Sequence, residues 1–233
     1  MNDRVQTFDS GAGYGQGISA QQRNKVLRNT YWLLALSMLP TVLGAWVGVS
    51  TGITASLGGG LGLMVFLGGA FGFMFTIEKT KNSAAGVPVL LAFTFFMGLM
   101  LSRIIAMVLG FKNGADLIMM AFGGTAGVFF VMASLATVIK RDLSSMGKWL
   151  TVGAVVLMVA AIINIFVASS AGMMAISVLA IGIFSAFMLY DLKRIIDGGE
   201  TNYISATLGL YLSIYNVFQS LLILLGIGGG NSD

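Results

Sequence analysis

The chain has 233 residues, 13 of them basic and 9 acidic, so charged side chains make up 9% against 57% hydrophobic ones. A soluble domain carries roughly 25% charge and disordered chains are polar and charged, so both are excluded and an integral membrane protein is indicated. The absence of His and Cys also excludes His-assisted nucleophiles, disulfides and thiolate metal sites.

Residues 1–30 are rich in Gly, Gln, Ser and Asn and carry both charge signs. They predict a flexible cytoplasmic tail with no cleavable leader, because the first apolar run starts late and is long enough to span. Beyond the tail, five stretches lack any charge: Asn29 to Ile77, Asn82 to Ser102, Leu117 to Ile139, Trp149 to Tyr190 and Thr201 to Ser232. A spanning helix needs about 20 residues. The second, third and fifth stretches therefore hold one span each. The first and fourth hold two each, divided at Ser50-Thr51-Gly52 and at Ser169-Ser170-Ala171-Gly172.

The expected fold class is an all-α membrane protein with seven transmembrane helices. Its spans are Tyr31–Val49, Ala55–Ile77, Val87–Leu109, Leu117–Ile139, Trp149–Ala168, Met173–Tyr190 and Tyr203–Ile227, and residues 228–233 form a short periplasmic tail. Tyr31, Trp149, Tyr190 and Tyr203 stand at span ends, where amphipathic rings favour the membrane–water boundary. Alternating loops put Arg4, Arg23, Lys25, Arg28, Lys79, Lys81, Lys140, Arg141, Lys148, Lys193 and Arg194 on one side, and only Lys112 on the other. That asymmetry predicts a cytoplasmic N-terminus and a periplasmic C-terminus. The basic residues lie in short loops and form no nucleic-acid face.

Along the helices, Gly44 and Gly48, Gly68 and Gly72, and Gly123 and Gly127 each form a GxxxG pair. Each reads as a contact inside one bundle or as a dimer face, and the bundle reading is preferred because Gly is common in membrane helices. Arg103, inside helix 3, either snorkels to the nearby surface or forms a buried ion pair. Glu78, beside Lys79 and Lys81, reads as an interfacial charge. Asp191 closes helix 6 beside Lys193 and Arg194. It reads as an interfacial carboxylate paired with those bases, or as a partly desolvated, titratable gate. In helix 7, Ser205, Gly209, Ser213, Asn216 and Ser220 share one face. That face reads as hydrogen-bonding glue between helices or as a polar path through the bundle.

Other functions that membrane helices could serve lack their parts here. A retinal pigment needs a Lys in the last helix, an intramembrane aspartyl protease needs a second Asp opposite Tyr190-Asp191, and a rhomboid-type protease needs His. No catalytic, cofactor-binding or metal residue is expected.

Three segments carry a resemblance. They are Phe122-Gly-Gly-Thr-Ala-Gly-Val-Phe-Phe130 running on to Lys140-Arg-Asp-Leu-Ser144, Tyr190-Asp191 followed by Gly198-Gly-Glu-Thr-Asn-Tyr-Ile204, and Leu210-Tyr-Leu-Ser-Ile-Tyr-Asn216. Together they resemble the Bax inhibitor-1 family, and the wording of the last two is similar to its bacterial YccA-like branch. The resemblance implies a bundle of six helices around helix 7. It also implies, for some members, a Ca²⁺ leak gated by two Asp residues. The first carries over to Asp191, but Ser213 stands at the second position, and a Ser cannot share a proton as a second carboxylate would. For YccA-like members it implies association with the membrane protease FtsH and restraint of that protease. The expectation is a non-enzymatic inner-membrane modulator of FtsH, held in the lipid bilayer. The alternative is a pH-sensitive Ca²⁺ leak, with Asp191, Ser213, Asn216 and Arg103 as the polar positions in the bundle.

Overall fold

The computed structural model describes residues 19–55, 57 and 59–229. Their regular structure consists of seven helices: α1 (Ala20–Thr51), α2 (Gly59–Thr80), α3 (Gly86–Leu109), α4 (Gly114–Val138), α5 (Met146–Val167), α6 (Ser170–Ile196) and α7 (Tyr203–Gly229). All seven are long and apolar enough to cross a membrane. They run alternately up and down. One end of the bundle carries the start of α1 and the α2–α3, α4–α5 and α6–α7 turns, and it holds the described basic residues other than Arg103 and Lys112; we call it the basic end.

Two helices outrun their expected spans. α1 begins at Ala20, not at Tyr31, so residues 20–30 are helix where a flexible tail was expected; residues 1–18 of that tail lie outside the described part. The helix can start there because Ser19 and Gln22 cap each other. The Ser19 hydroxyl accepts the Gln22 N–H and the Gln22 side chain accepts the Ser19 N–H, each at 3.2 Å. These reciprocal bonds satisfy two donors that a helix start otherwise leaves open. Val26 and Leu27 then pack against the core, which gives the polar first turns a reason to stay helical. α6 likewise continues past Tyr190 to Ile196. Its last turn holds Lys193 and Arg194, where positive charge complements the helix dipole.

The expected breaks appear as caps. Gly52 ends α1 in the left-handed region at φ 66°, a conformation glycine adopts without steric cost. Ser169 accepts the Gly172 N–H at the start of α6.

α7 takes the central position. It packs against α6, α4, α1 and α3 and touches α2, whereas α5 packs mainly on α6 in an outer layer. Burial follows this order, with 44% of the α7 span enclosed against 11% of α2. The core centres on Leu90, Phe93, Met97, Leu210 and Tyr211. A smaller cluster of Val108, Leu117, Ala121 and Leu222 closes the opposite end. Trp32 and Trp149 turn outward, 74% and 78% exposed, as suits side chains meeting lipid.

In lipid, helices associate through close packing and hydrogen bonds, because lipid tails are as apolar as the side chains they would replace. The α1–α3 seam shows this. A Cβ on Gly44 would collide with the Phe95 carbonyl, one on Gly98 with the Thr41 carbonyl, and one on Gly48 with the Ser102 side chain. The Gly44/Gly48 pair is therefore an internal contact. The other two pairs differ from the bundle reading, since nothing lies within 4 Å of a Cβ built on Gly68, Gly72, Gly123 or Gly127. Gly68 and Gly72 border an open groove shared with Pro88, Val89 and Ala92 of α3, and Gly123 and Gly127 are exposed.

Candidate functional site at the basic end of α6 and α7

The motif Gly198 to Ile204 forms the α6–α7 turn as a near-closed circuit of hydrogen bonds. Gly198 adopts φ 82°, which reverses the chain. The Gly199 N–H then donates back to the Arg194 carbonyl at 2.8 Å. The Arg194 guanidinium meets Glu200 Oε2 at 3.1 Å. Glu200 Oε1 accepts the N–H groups of Thr201 and Asn202 at 3.0 and 2.9 Å. Asn202 completes the turn in two directions. Its Oδ1 accepts the Ile204 and Ser205 N–H groups at 2.9 and 3.0 Å, capping α7. Its Nδ2 donates to the Lys81 carbonyl at 3.1 Å and to Asn82 Oδ1 at 2.8 Å, tying in the α2–α3 turn. Across the basic end, Asp142 folds the α4–α5 turn by accepting the Ser144 N–H and hydroxyl at 2.8 and 2.9 Å. Those two bonds hold its carboxyl below the ordinary value of 3.8.

Asp191 sits two turns before this loop, on the face of α6 that meets α7. Its carboxylate lies against Gly209, with Oδ2 2.9 Å from where a Cβ would stand. The pairing with Lys193 and Arg194 is not what the structure shows. Lys193 binds Asp197 at 2.5 Å and Arg194 binds Glu200. Among the described residues none gives Asp191 a hydrogen bond or an ion pair, and Arg194 and Glu200 act on it only through space. Its neighbour Tyr190 places its ring on Gly147 at the start of α5.

The other expected positions scatter. Ser213 is one turn beyond Gly209 and buried, 3% exposed. Asn216 donates to the Leu212 carbonyl of its own helix at 2.8 Å. Arg103 lies at the far end, exposed, with its guanidinium on the Leu57 carbonyl at 3.4 Å. It snorkels, and among the described residues it has no acidic partner. Glu78 is paired with Lys81. Asp191 and the Ser205–Ser213 part of the stripe thus share one locality, and Arg103 belongs to another.

The glue between helices comes instead from residues the sequence did not single out, on the face of α7 beside the stripe. Thr207 donates to the Thr30 carbonyl of α1 at 3.4 Å as well as to Tyr203 in its own helix. The Tyr211 hydroxyl meets Thr41 of α1 at 2.8 Å and the Thr94 carbonyl of α3 at 3.4 Å. Tyr215 reaches the Met97 carbonyl of α3 at 3.4 Å. The spacing of four from Thr207 to Tyr211 to Tyr215 is the available signal.

Seven spanning helices, a buried terminal helix and a lone carboxylate against it define a multi-pass membrane protein of a helix-centred type. The family described as inhibitor of apoptosis-promoting Bax1 matches residues 23–230. The chain belongs to this family, the Bax inhibitor-1 family, and to its YccA-like branch. It is 41% identical over 208 residues to a protein of Escherichia coli K12 named Modulator of FtsH protease YccA, covering 87% of this chain and 90% of the relative. An uncharacterized protein of Pseudomonas aeruginosa is 40% identical over 214 residues, covering 91% and 94%. An uncharacterized membrane protein of Vibrio cholerae is 37% identical over 210 residues, covering 90% and 92%.

Proposed function

We propose that this chain is a non-enzymatic protein of the bacterial inner membrane that binds an FtsH-type membrane protease and restrains it. The carrying observation is the 41% identity, along nearly the whole chain, to the relative named as a modulator of FtsH protease. The position of Ser213 supports this reading over a pH-gated Ca²⁺ leak. A leak latch of two acids needs a second carboxylate, and a hydroxyl there cannot share a proton with Asp191. The distribution of basic residues supports a cytoplasmic basic end and a periplasmic C-terminus.

The test is affinity purification of the full chain from native membranes after crosslinking. FtsH should co-purify, and overproducing the chain should slow the turnover of membrane substrates of that protease. Absence of FtsH from the crosslinked material would overturn the proposal. The leak reading has its own measurement, Ca²⁺ uptake into liposomes containing the purified chain. Robust flux abolished by Asp191→Asn would put that reading first.

A further inference from the structure

The first turns of α1 lean over the start of α7, and a notch of about 340 Å³ opens between them. Its walls are Gln22, Lys25, Val26 and Asn29 from α1, and Thr201 and Tyr203 from the other side. Gln22, Lys25 and Asn29 are spaced by three and four residues, so they project from one helix face. Gln22 is used by the helix cap, and Gln22 and Lys25 are exposed while Asn29 is half-buried, so the polar face is open to what approaches the notch.

The notch is rich in donors and poor in acids. Among the described residues, the Lys25 ammonium, the Asn29 amide, the Thr201 hydroxyl and the Tyr203 hydroxyl make no hydrogen bond or ion pair. The carboxylates of the turns at this end are occupied elsewhere, and Asp191 lies against Gly209 on the α6–α7 face, outside the notch lining. Glu200 is held by Arg194 and by two backbone N–H groups, Asp197 by Lys193, and Glu78 by Lys81. An ammonium beside amide and hydroxyl donors is the chemistry that receives an anionic oxygen cluster.

Its depth selects the source of that anion. α1 runs from Asn29 directly into Tyr31 and the outward-facing Trp32, and Tyr203 is the first residue of α7. Aromatic residues at span ends mark the headgroup level, so the notch opens where lipid phosphates are dense. Val26 supplies an apolar floor for the glycerol end.

We propose that this notch is a headgroup site for an anionic phospholipid, with Lys25 on the phosphate and Asn29, Thr201 and Tyr203 as surrounding donors. The site is independent of any protease function.

The experiment is native mass spectrometry of the full chain in mild detergent, titrated with phosphatidylglycerol. Lys25→Gln should weaken binding about fivefold, corresponding to the ~1 kcal/mol that one basic residue contributes near an anionic surface. Lys25→Arg should bind like wild type, and Tyr203→Phe should weaken binding by a smaller factor. Lys148→Gln removes the same charge from an exposed site away from the notch and should leave binding unchanged. Three results would overturn the proposal. One is equal weakening by Lys25→Gln and Lys148→Gln, which would indicate a diffuse basic belt. Another is wild-type affinity in Lys25→Gln. The third is displacement of the lipid by millimolar inorganic phosphate, which would make the notch a site for free phosphate.

Discussion

The hydroxyls of Tyr211 and Thr41 lie 2.8 Å apart although 170 residues separate them in the chain. This contact joins the last helix to the first at the level where α1 and α3 touch through Gly44, Gly48 and Gly98. The Tyr211 ring also packs edge-on against Phe93, 6.0 Å between centroids. One side chain therefore serves the packing of three helices, and its polar tip finds partners where water has no access.

Removing that tip has a measurable cost. Tyr211→Phe should destabilise the bundle by about 0.5–1.5 kcal/mol, the usual net value of one hydrogen bond. A double-mutant cycle with Thr41→Val should give a coupling near 0.6 kcal/mol, typical between membrane helices. Thermal unfolding in detergent reads both, and strictly additive losses would show that the two hydroxyls do not stabilise each other.

The glycines separate into two classes with opposite expected signs. Gly98→Ala and Gly44→Ala drive a Cβ into the backbone of the facing helix, and overpacking costs about 1–3 kcal/mol. Gly123→Ala meets nothing within 4 Å and should gain about 0.5–1 kcal/mol from helix propensity. Melting temperatures of the three variants should fall, fall and rise.

Asn202 performs two tasks that different substitutions separate. Asn202→Asp keeps an oxygen for the Ile204 and Ser205 N–H groups but removes the donor to Lys81 and Asn82. Asn202→Ala removes both, and the lost cap alone costs about 0.5–2 kcal/mol. Hydrogen exchange should quicken around residues 81–83 in both variants, and at residues 203–206 only in the Ala variant. Equal protection at 203–206 in the two variants would contradict the cap assignment.

The α4–α5 turn should respond to acid. The Asp142 carboxyl is held below 3.8 by Ser144, so its contribution to stability is present above that value. It is lost as pH falls through the depressed one. The melting gap between wild type and Asp142→Ala should therefore be constant from about pH 7 to pH 5 and close below the ordinary carboxylate value of about 4. A gap that persists in acid would mean that the carboxylate charge contributes nothing to the turn.

The number of helices was legible because charges interrupt the chain only where it leaves the apolar phase. The same criterion misplaced two ends. It marks where a helix enters lipid, not where helix begins, so the polar start of α1 and the charged end of α6 fell outside it. Ser19-Ala20-Gln21-Gln22 did carry the capping signal. At the site, Asp191 was visible as a charge at a span end, but its freedom from Lys193 and Arg194 was not. That depends on Asp197 and Glu200 reaching those bases first. The stripe of Ser and Asn is legible because these residues are overtly polar. Tyr211 and Tyr215 stand in the Leu210–Asn216 motif with no role attached to them, and their hydroxyls become structural only when Thr41, Thr94 and Met97 arrive from distant helices.

The continuity of α1 sets how this protein yields to force. A pull applied ahead of Ser19 enters a helix that continues to Thr51 with Pro40 in its interior, where one i→i−4 bond is missing and a helix bends most readily, so the load passes through that proline on its way along the axis. It is delivered to the glycine seam with α3, where the two backbones interlock most closely. Extraction from this end first meets the ties of α1 to α6 and α7, Arg23 on the Ile196 carbonyl and Thr207 on the Thr30 carbonyl, and only then the seam. A machine that unravels membrane proteins from the same end would have to break those ties and the seam in turn, because all of them hold one continuous segment of chain.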